Sequence, residues 1–331
     1  MRIVLVHGSW HTGELWAPVA ELLRNAGHEV HTPTVAGHGH GVDKRVTHAQ
    51  CTASITDYIT ANDLHDAVLL GHSYGGTIIS KVVEAVPERI RRLVYWNAFV
   101  LNDGESLDDN VPPHYRALFA QMAAASADNS VQMPFPIWRD AFINDADLSL
   151  AERSYGLLSS EPYQPFVDKL DLKKFYSLQT PRSFINCTED IALPPGPEWG
   201  WHPRMSQRLG LYRLVQIAGS HEVMFTAPER LAGAIVAAAA LIGYIGFPTA
   251  PPRMYPEYGF IDTVNAQSSV NHDSAIAKLF INPFAAVPSM HCAVALMIGG
   301  TGFMVCKNWF ARGFWACWPL LRATGAGRSE E

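Results

Sequence analysis

Between residues 67 and 86 an apolar, strand-like run (67–70) passes into a helix-like one (77–86) through Gly71-His72-Ser73-Tyr74-Gly75-Gly76. No other feature of the 331 residues constrains the fold as much. A serine centred in G-x-S-x-G, with a strand before it and a helix after it, sits on a sharp, strained turn that holds its hydroxyl above a sheet. Small residues at 71 and 75 let the backbone bend and the helix approach the strand. Such a turn needs a parallel sheet around it, and the flanking sequence supplies the parts. Residues 2–6, 29–34, 90–96, 182–187 and 212–217 also read as buried strands. Residues 15–26, 49–62 and 228–239 read as helices between them. Strands alternating with helices imply βαβ units and a mostly parallel central sheet in an α/β fold.

The alternation breaks at about residues 101–178, a mainly helical block carrying Tyr115, Phe119, Phe135, Trp138, Phe142, Tyr155, Tyr163 and Phe166. A helical insertion between strands of such a sheet reads as a cap over the carboxyl ends of the strands, where ligands of open α/β sheets bind. The expected pocket walls are Trp10, His72, Trp138 and Phe142.

A serine hydroxyl is a weak nucleophile until a base takes its proton. His221 follows the late strand 212–217 through Ala218-Gly219-Ser220, which is where the base is required. The acid belongs at the end of the strand before it, where Thr188-Glu189-Asp190 follows residues 182–187. Asp190 is the first choice and Glu189 the alternative, to hold the imidazole tautomer and stabilise the imidazolium. An oxyanion hole needs two amide donors. The amide of Tyr74 follows the nucleophile, and that of Ser9 lies in the loop Val6-His7-Gly8-Ser9-Trp10 after the first strand. This chemistry needs no metal or cofactor. Gly37-His38-Gly39-His40-Gly41 reads as a flexible glycine loop, since a zinc site would require further ligands nearby. The glycines after Ser73 lack the lysine of a phosphate-binding loop.

Composition narrows the partners. With a formal net charge of −6 the chain offers no basic face for nucleic acid. Charged residues are only 17 % of the chain, against a typical ~25 %, which argues against disorder. Cys51, Cys187, Cys292, Cys306 and Cys317 are widely spaced and read as reduced, buried thiols. The first apolar run is too short for a signal peptide, so the N-terminal part is expected in the cytoplasm. No residue pattern speaks for an oligomeric state.

The runs His7-Gly8-Ser9-Trp10-His11-Thr12-Gly13 with Trp16, Gly71 to Gly76, Cys187-Thr188-Glu189-Asp190 with Pro194, and Gly219-Ser220-His221-Glu222-Val223-Met224 with Pro228 resemble the plant methylesterase and hydroxynitrile lyase-like group. The resemblance covers residues 1–239. It implies an α/β-hydrolase fold with a helical cap and supports Asp190 as the acid. Cyanohydrin-cleaving members carry threonine after the first histidine and lysine after the catalytic one, where this chain has Gly8 and Glu222. The departure favours ester hydrolysis, and the aromatic cap predicts a small apolar ester as substrate. Cyanohydrin cleavage on the same scaffold, or small-molecule binding without catalysis, are the alternatives.

Residues 241–331 differ from the domain at 1–240. Only 11 of the last 92 residues are charged, and 231–252 and 279–306 carry no charge at all. Residues 285–305 are long and apolar enough to span a bilayer, and they lean the expectation towards membrane association through this tail. Phe247 to Arg253 and Val287-Pro288-Ser289-Met290-His291 resemble the type 2 phosphatidic acid phosphatase and inositolphosphotransferase group. That group needs a second, later histidine, so the tail reads as a fragment of such an enzyme.

Overall fold

The structure, a computed structural model, describes residues 1–239. The expectations for residues 241–331, including the span at 285–305 and Cys292, Cys306 and Cys317, lie outside them. Six parallel strands form one sheet in the order β2-β1-β3-β4-β7-β8. In chain order the main elements are β1 (Arg2–Val6), α1 (Ala17–Asn25), β2 (Glu29–His31), α2 (His48–Ala61), β3 (Ala67–His72), α3 (Gly75–Ala85), β4 (Ile90–Trp96), α4 (Pro113–Ala125), β5 (Ser130–Val131), β6 (Glu161–Pro162), β7 (Arg182–Cys187) and β8 (Tyr212–Ile217). A last helix spans Pro228–Ala239.

The central strands β1 and β3 form where the sequence is almost continuously apolar, as covered sheet faces require, whereas the edge strands β2 and β8 carry polar residues and are partly exposed. β3 and β7 are buried along their whole length. α1 packs with the helix Pro228–Ala239, and α2 packs with α3. α2 begins at a capping box, in which the Thr47 hydroxyl accepts the Gln50 amide and the Gln50 side chain accepts the Thr47 amide. Cys51 and Cys187 are buried free thiols, as read from the sequence.

Between β4 and β7 the expected helices appear, including α4, Leu148–Tyr155, Gln164–Val167 and Lys173–Ser177. The block also contains a feature that the sequence did not suggest. β5 and β6 pair antiparallel, Ser130 opposite Pro162 and Val131 opposite Glu161. A two-residue strand has no periodicity to read, and proline is tolerated at such an edge.

The junction around Ser73 is tighter than the sequence reading. β3 continues to His72 and α3 starts at Gly75, so Ser73 and Tyr74 make the whole turn. Ser73 has φ +51, the left-handed region that side chains avoid. A Cβ at Gly71 would stand 2.5 Å from the carbonyl oxygen of Gly75, and one at Gly75 would stand 2.7 Å from that of His7. Neither position accepts a side chain while the strand and helix stay this close.

Candidate active site

The turn aims Ser73 into a cavity of about 30 Å³ at the carboxyl end of the sheet. Ser9, Trp10 and His221 share its lining with Ser73. The remaining walls are almost all apolar: Phe99 after β4, then Leu107, Val111, Tyr115, Phe119, Phe142 and Phe166 from the cap, and Ala192, Leu193 and Trp201 after β7.

His221 lies in the loop after β8. Its Nδ1 donates to Asp190 Oδ2 at 2.6 Å, both side chains being buried. Asp190 Oδ1 accepts the amide of Ala192 at 2.9 Å, and Asn97 Nδ2 donates to Oδ2. Asn97 Oδ1 in turn accepts the amide of Cys187 at 2.8 Å, so one side chain ties the end of β4 to the acid loop after β7. Glu189, the alternative acid, is exposed, whereas Asp190 is buried against His221. The ring of Trp201 stacks on His221 at 5.0 Å, and Phe142 meets it edge-on at 5.3 Å. From the cap, Asn144 donates to the carbonyl of Glu189, and Asp145 accepts the amide of Ser220 and the hydroxyl of Thr226. Both loops are therefore held from above as well as below.

Of the four pocket walls expected from sequence, Trp10 and Phe142 line the cavity. His72 and Trp138 do not. His72 stacks on Trp96 at 3.8 Å behind the elbow, and its Nε2 donates to the carbonyl of His221 at 3.1 Å. Trp138 is buried behind Phe142 and donates its indole N–H to Ser154. Asn97, Trp201, Asn144 and Asp145 were not anticipated. Each acts across a long sequence separation and carries no local pattern.

Histidine burial divides the site electrostatically. Desolvation pushes His7 and His72 well below the ordinary imidazole value. It pushes His48 to about 4; this ring sits below the elbow, donating to Thr77 Oγ1, which donates to the carbonyl of Tyr74. Burial also opposes the charging of His11 and His221, but there it is outweighed. The Asp190 carboxylate lifts His221, and Glu222 lifts His11 from 3.1 Å away, through an ion-pair contact without hydrogen-bond alignment.

Among the described residues, His72, His221 and Glu222 bring potential ligand atoms within 4.8 Å of one another. His221 Nδ1 and His72 Nε2 are already committed to protein acceptors. Gly37 to Gly41 supplies no ligand to that group. Its glycines take left-handed turns, but His38 is buried and contacts Glu161 at 3.0 Å, so the loop is anchored rather than free. A wider groove of about 670 Å³ between α2, α3 and residues 168–174 contains none of Ser73, Asp190 and His221. No helix among the described residues is long and apolar enough to cross a membrane.

Residues 3–235 match the model of the alpha/beta hydrolase family, and residues 226–324 match that of the PAP2 superfamily. A solved extracellular alpha/beta-hydrolase from a Paenibacillus species is 45 % identical, with a TM-score of 0.70 over 72 % of this chain and 98 % of that one. Its description gives it structural and functional homology to tobacco salicylic acid binding protein 2. A carbendazim hydrolyzing esterase of Nocardioides sp. (strain SG-4G) is 39 % identical over 154 residues, 44 % of this chain; the match spans 64 % of that esterase. Methylesterase 1 of Arabidopsis thaliana is 30 % identical over 218 residues, 58 % of this chain and 80 % of its own length.

Proposed function

The chain belongs to the alpha/beta hydrolase family, and we propose that it hydrolyses carboxylic esters with Ser73 as nucleophile, His221 as base and Asp190 as the acid that orients it. The observation that carries this reading is the buried 2.6 Å hydrogen bond from His221 Nδ1 to Asp190, on the wall of the cavity that Ser73 also lines. With Nδ1–H committed, Nε2 is the nitrogen left to take the Ser73 proton. Ser73 Oγ bonds to the ester carbonyl carbon as its proton passes to Nε2. The amides of Ser9 and Tyr74 receive the oxyanion, the latter at the start of α3, where the helix dipole favours negative charge. His221 then gives the proton to the leaving alcohol as the C–O bond breaks. Water releases the acid by the same steps in reverse.

The apolar walls favour esters with an aromatic or branched apolar part. At about 30 Å³ the cavity is far below the ~300–1,000 Å³ of typical ligand sites, so a bulky ester fits only if side chains on its walls, such as Phe119, Phe142 and Phe166, shift. Esterase-named relatives support the same chemistry. Cyanohydrin cleavage is disfavoured at Gly8: a Cβ there would stand 2.9 Å from His72 Nδ1 and 3.0 Å from the Ser73 Cβ, so the lyase group's threonine has no ready room.

A fluorophosphonate is expected to modify Ser73, detected on its tryptic peptide. Only neutral His221 can act as base, and Asp190 holds that imidazole above its ordinary value of 6.5. The labelling rate should therefore rise with pH and reach half its maximum above 6.5. A label on another serine, or a half-maximum below that value, removes the assignment.

A further inference from the structure

Two consecutive peptide units in the loop after β1 are gripped by buried side chains. The first joins Gly8 to Ser9 and carries the Ser9 N–H. Its carbonyl accepts His7 Nδ1–H at 2.8 Å, and His7 Nε2 accepts the amide of Val35 at 3.0 Å. The second joins Ser9 to Trp10. Its carbonyl accepts His11 Nδ1–H at 2.6 Å, and its N–H donates to Glu161 Oε2 at 2.7 Å. A peptide unit is planar, so fixing either end fixes the other.

Glu161 comes from the cap, 151 positions along the chain from Trp10, and is wholly buried. Its carboxylate also meets His38 Nε2 at 3.0 Å, while His38 Nδ1 lies 3.1 Å from the carbonyl of Ala36. Opposite Glu161 in the β5–β6 ladder is Val131, whose carbonyl accepts the Trp10 indole N–H at 3.0 Å. The ladder thus takes both N–H groups of Trp10. That residue has φ +64, a conformation a tryptophan keeps only when its surroundings impose it. A buried carboxylate needs partners, and here its partners are the strained residue beside the Ser9 donor and a buried histidine.

We propose that Glu161, held by His38, is a positioning residue for ester hydrolysis: from the cap it fixes the Ser9–Trp10 peptide, which together with the Gly8–Ser9 peptide held by His7 sets φ and ψ of Ser9 and so the aim of its N–H at the developing oxyanion. The proposal rests on the reading of Ser73 and Ser9 given above. It turns the small cap ladder from a packing element into part of the geometry of the transition state.

The test compares full-length wild type with Glu161→Ala, Glu161→Gln and Glu161→Asp on 4-nitrophenyl acetate, with kcat expressed per fluorophosphonate-labelled Ser73. Removing an oxyanion-hole donor typically costs about 10²–10³ in kcat. Glu161→Ala, which frees the loop but leaves the donor in place, is expected to lose about 10²-fold per labelled site, with KM within about threefold. Glu161→Gln keeps an oxygen to accept the Trp10 N–H and is expected to stay within about fivefold of wild type. Glu161→Asp keeps the charge but withdraws the acceptor by one methylene, and should lose at least about tenfold; it stands in if the alanine variant does not fold. A per-site kcat within threefold of wild type in Glu161→Ala, or in Glu161→Asp, overturns the proposal. So does a loss confined to KM or to the number of labelled sites, or a glutamine variant as slow as the alanine one. If Ser73 cannot be labelled at all, the reading of the site itself falls; if it labels normally and the per-site rates are unchanged, only the role of Glu161 is lost.

Discussion

Replacing Ser73 by alanine is expected to lower kcat on 4-nitrophenyl acetate by at least about 10⁵-fold and to leave the melting temperature within about 2 °C of wild type. The two halves of this result have different causes. The activity loss follows because no other group at the turn can form the acyl bond. The unchanged stability follows because alanine keeps the Cβ that already tolerates φ +51. The backbone contacts that hold the turn also survive: the Ser73 amide still reaches the carbonyl of Trp96, and its carbonyl still accepts the amides of Gly76 and Phe99. Turnover near the wild-type level in this variant eliminates Ser73 as nucleophile.

Asp190→Asn is expected to cost about 10⁴ in kcat with the fold retained. Asparagine matches the carboxylate in shape, but one oxygen becomes an N–H₂ donor. Asp190 Oδ2 receives donors from both His221 and Asn97, and Oδ1 receives the Ala192 amide, so an amide cannot satisfy all three. The imidazole is then drawn to the tautomer that carries hydrogen on Nε2 and cannot accept the serine proton. Loss of the carboxylate also leaves burial to act on His221 with less opposition, so the acid limb of the residual activity should move to lower pH. The stability consequence has a definite sign. A histidine raised in the folded state adds stability that is fully present below its unfolded value of 6.5 and is lost as pH rises through the folded one. The penalty of Asp190→Asn, read from chemical denaturation, should therefore be larger at pH 6 than at pH 9. Equal penalties at both would show that the pair is not charged as described.

The sheet was legible because most of its strands are short, largely apolar segments alternating with helix-like ones; β4, β7 and β8 match the sequence reading residue for residue even though each carries polar residues such as Arg92, Asn186 and Gln216. The placement of Ser73, Asp190 and His221 beyond the carboxyl ends of the strands was legible because each lies within a few residues of the end of a recognisable strand. His72 was misplaced by its nearness to Ser73 along the chain. It is the last residue of β3, where successive side chains alternate faces, and the alternation sends it behind the elbow. Trp138 was misplaced because an aromatic spacing reports burial without saying which neighbour is buried against which. Asn97, Trp201 and Glu161 were invisible for a common reason. Their partners lie in distant segments: Asp190 is 93 positions from Asn97, and Trp10 is 151 from Glu161. A single polar or aromatic side chain leaves no periodic trace of such a contact.

The uncharged histidines packed around the elbow give the domain a proton debt. His7, His48 and His72 stay neutral in the fold, yet each would bind a proton below about 6.5 once released into water. Below that pH the unfolded chain holds more protons than the native one, so stability must decline on acidification. For His48, held at about 4, the full linkage is on the order of 3 kcal/mol. A melting temperature that falls steadily from pH 6.5 to pH 5 is the expected signature, and a flat profile would mean that these rings are not neutral in the fold. The interior that keeps water away from the nucleophile is thus a reservoir of proton sites that only the unfolded chain can fill.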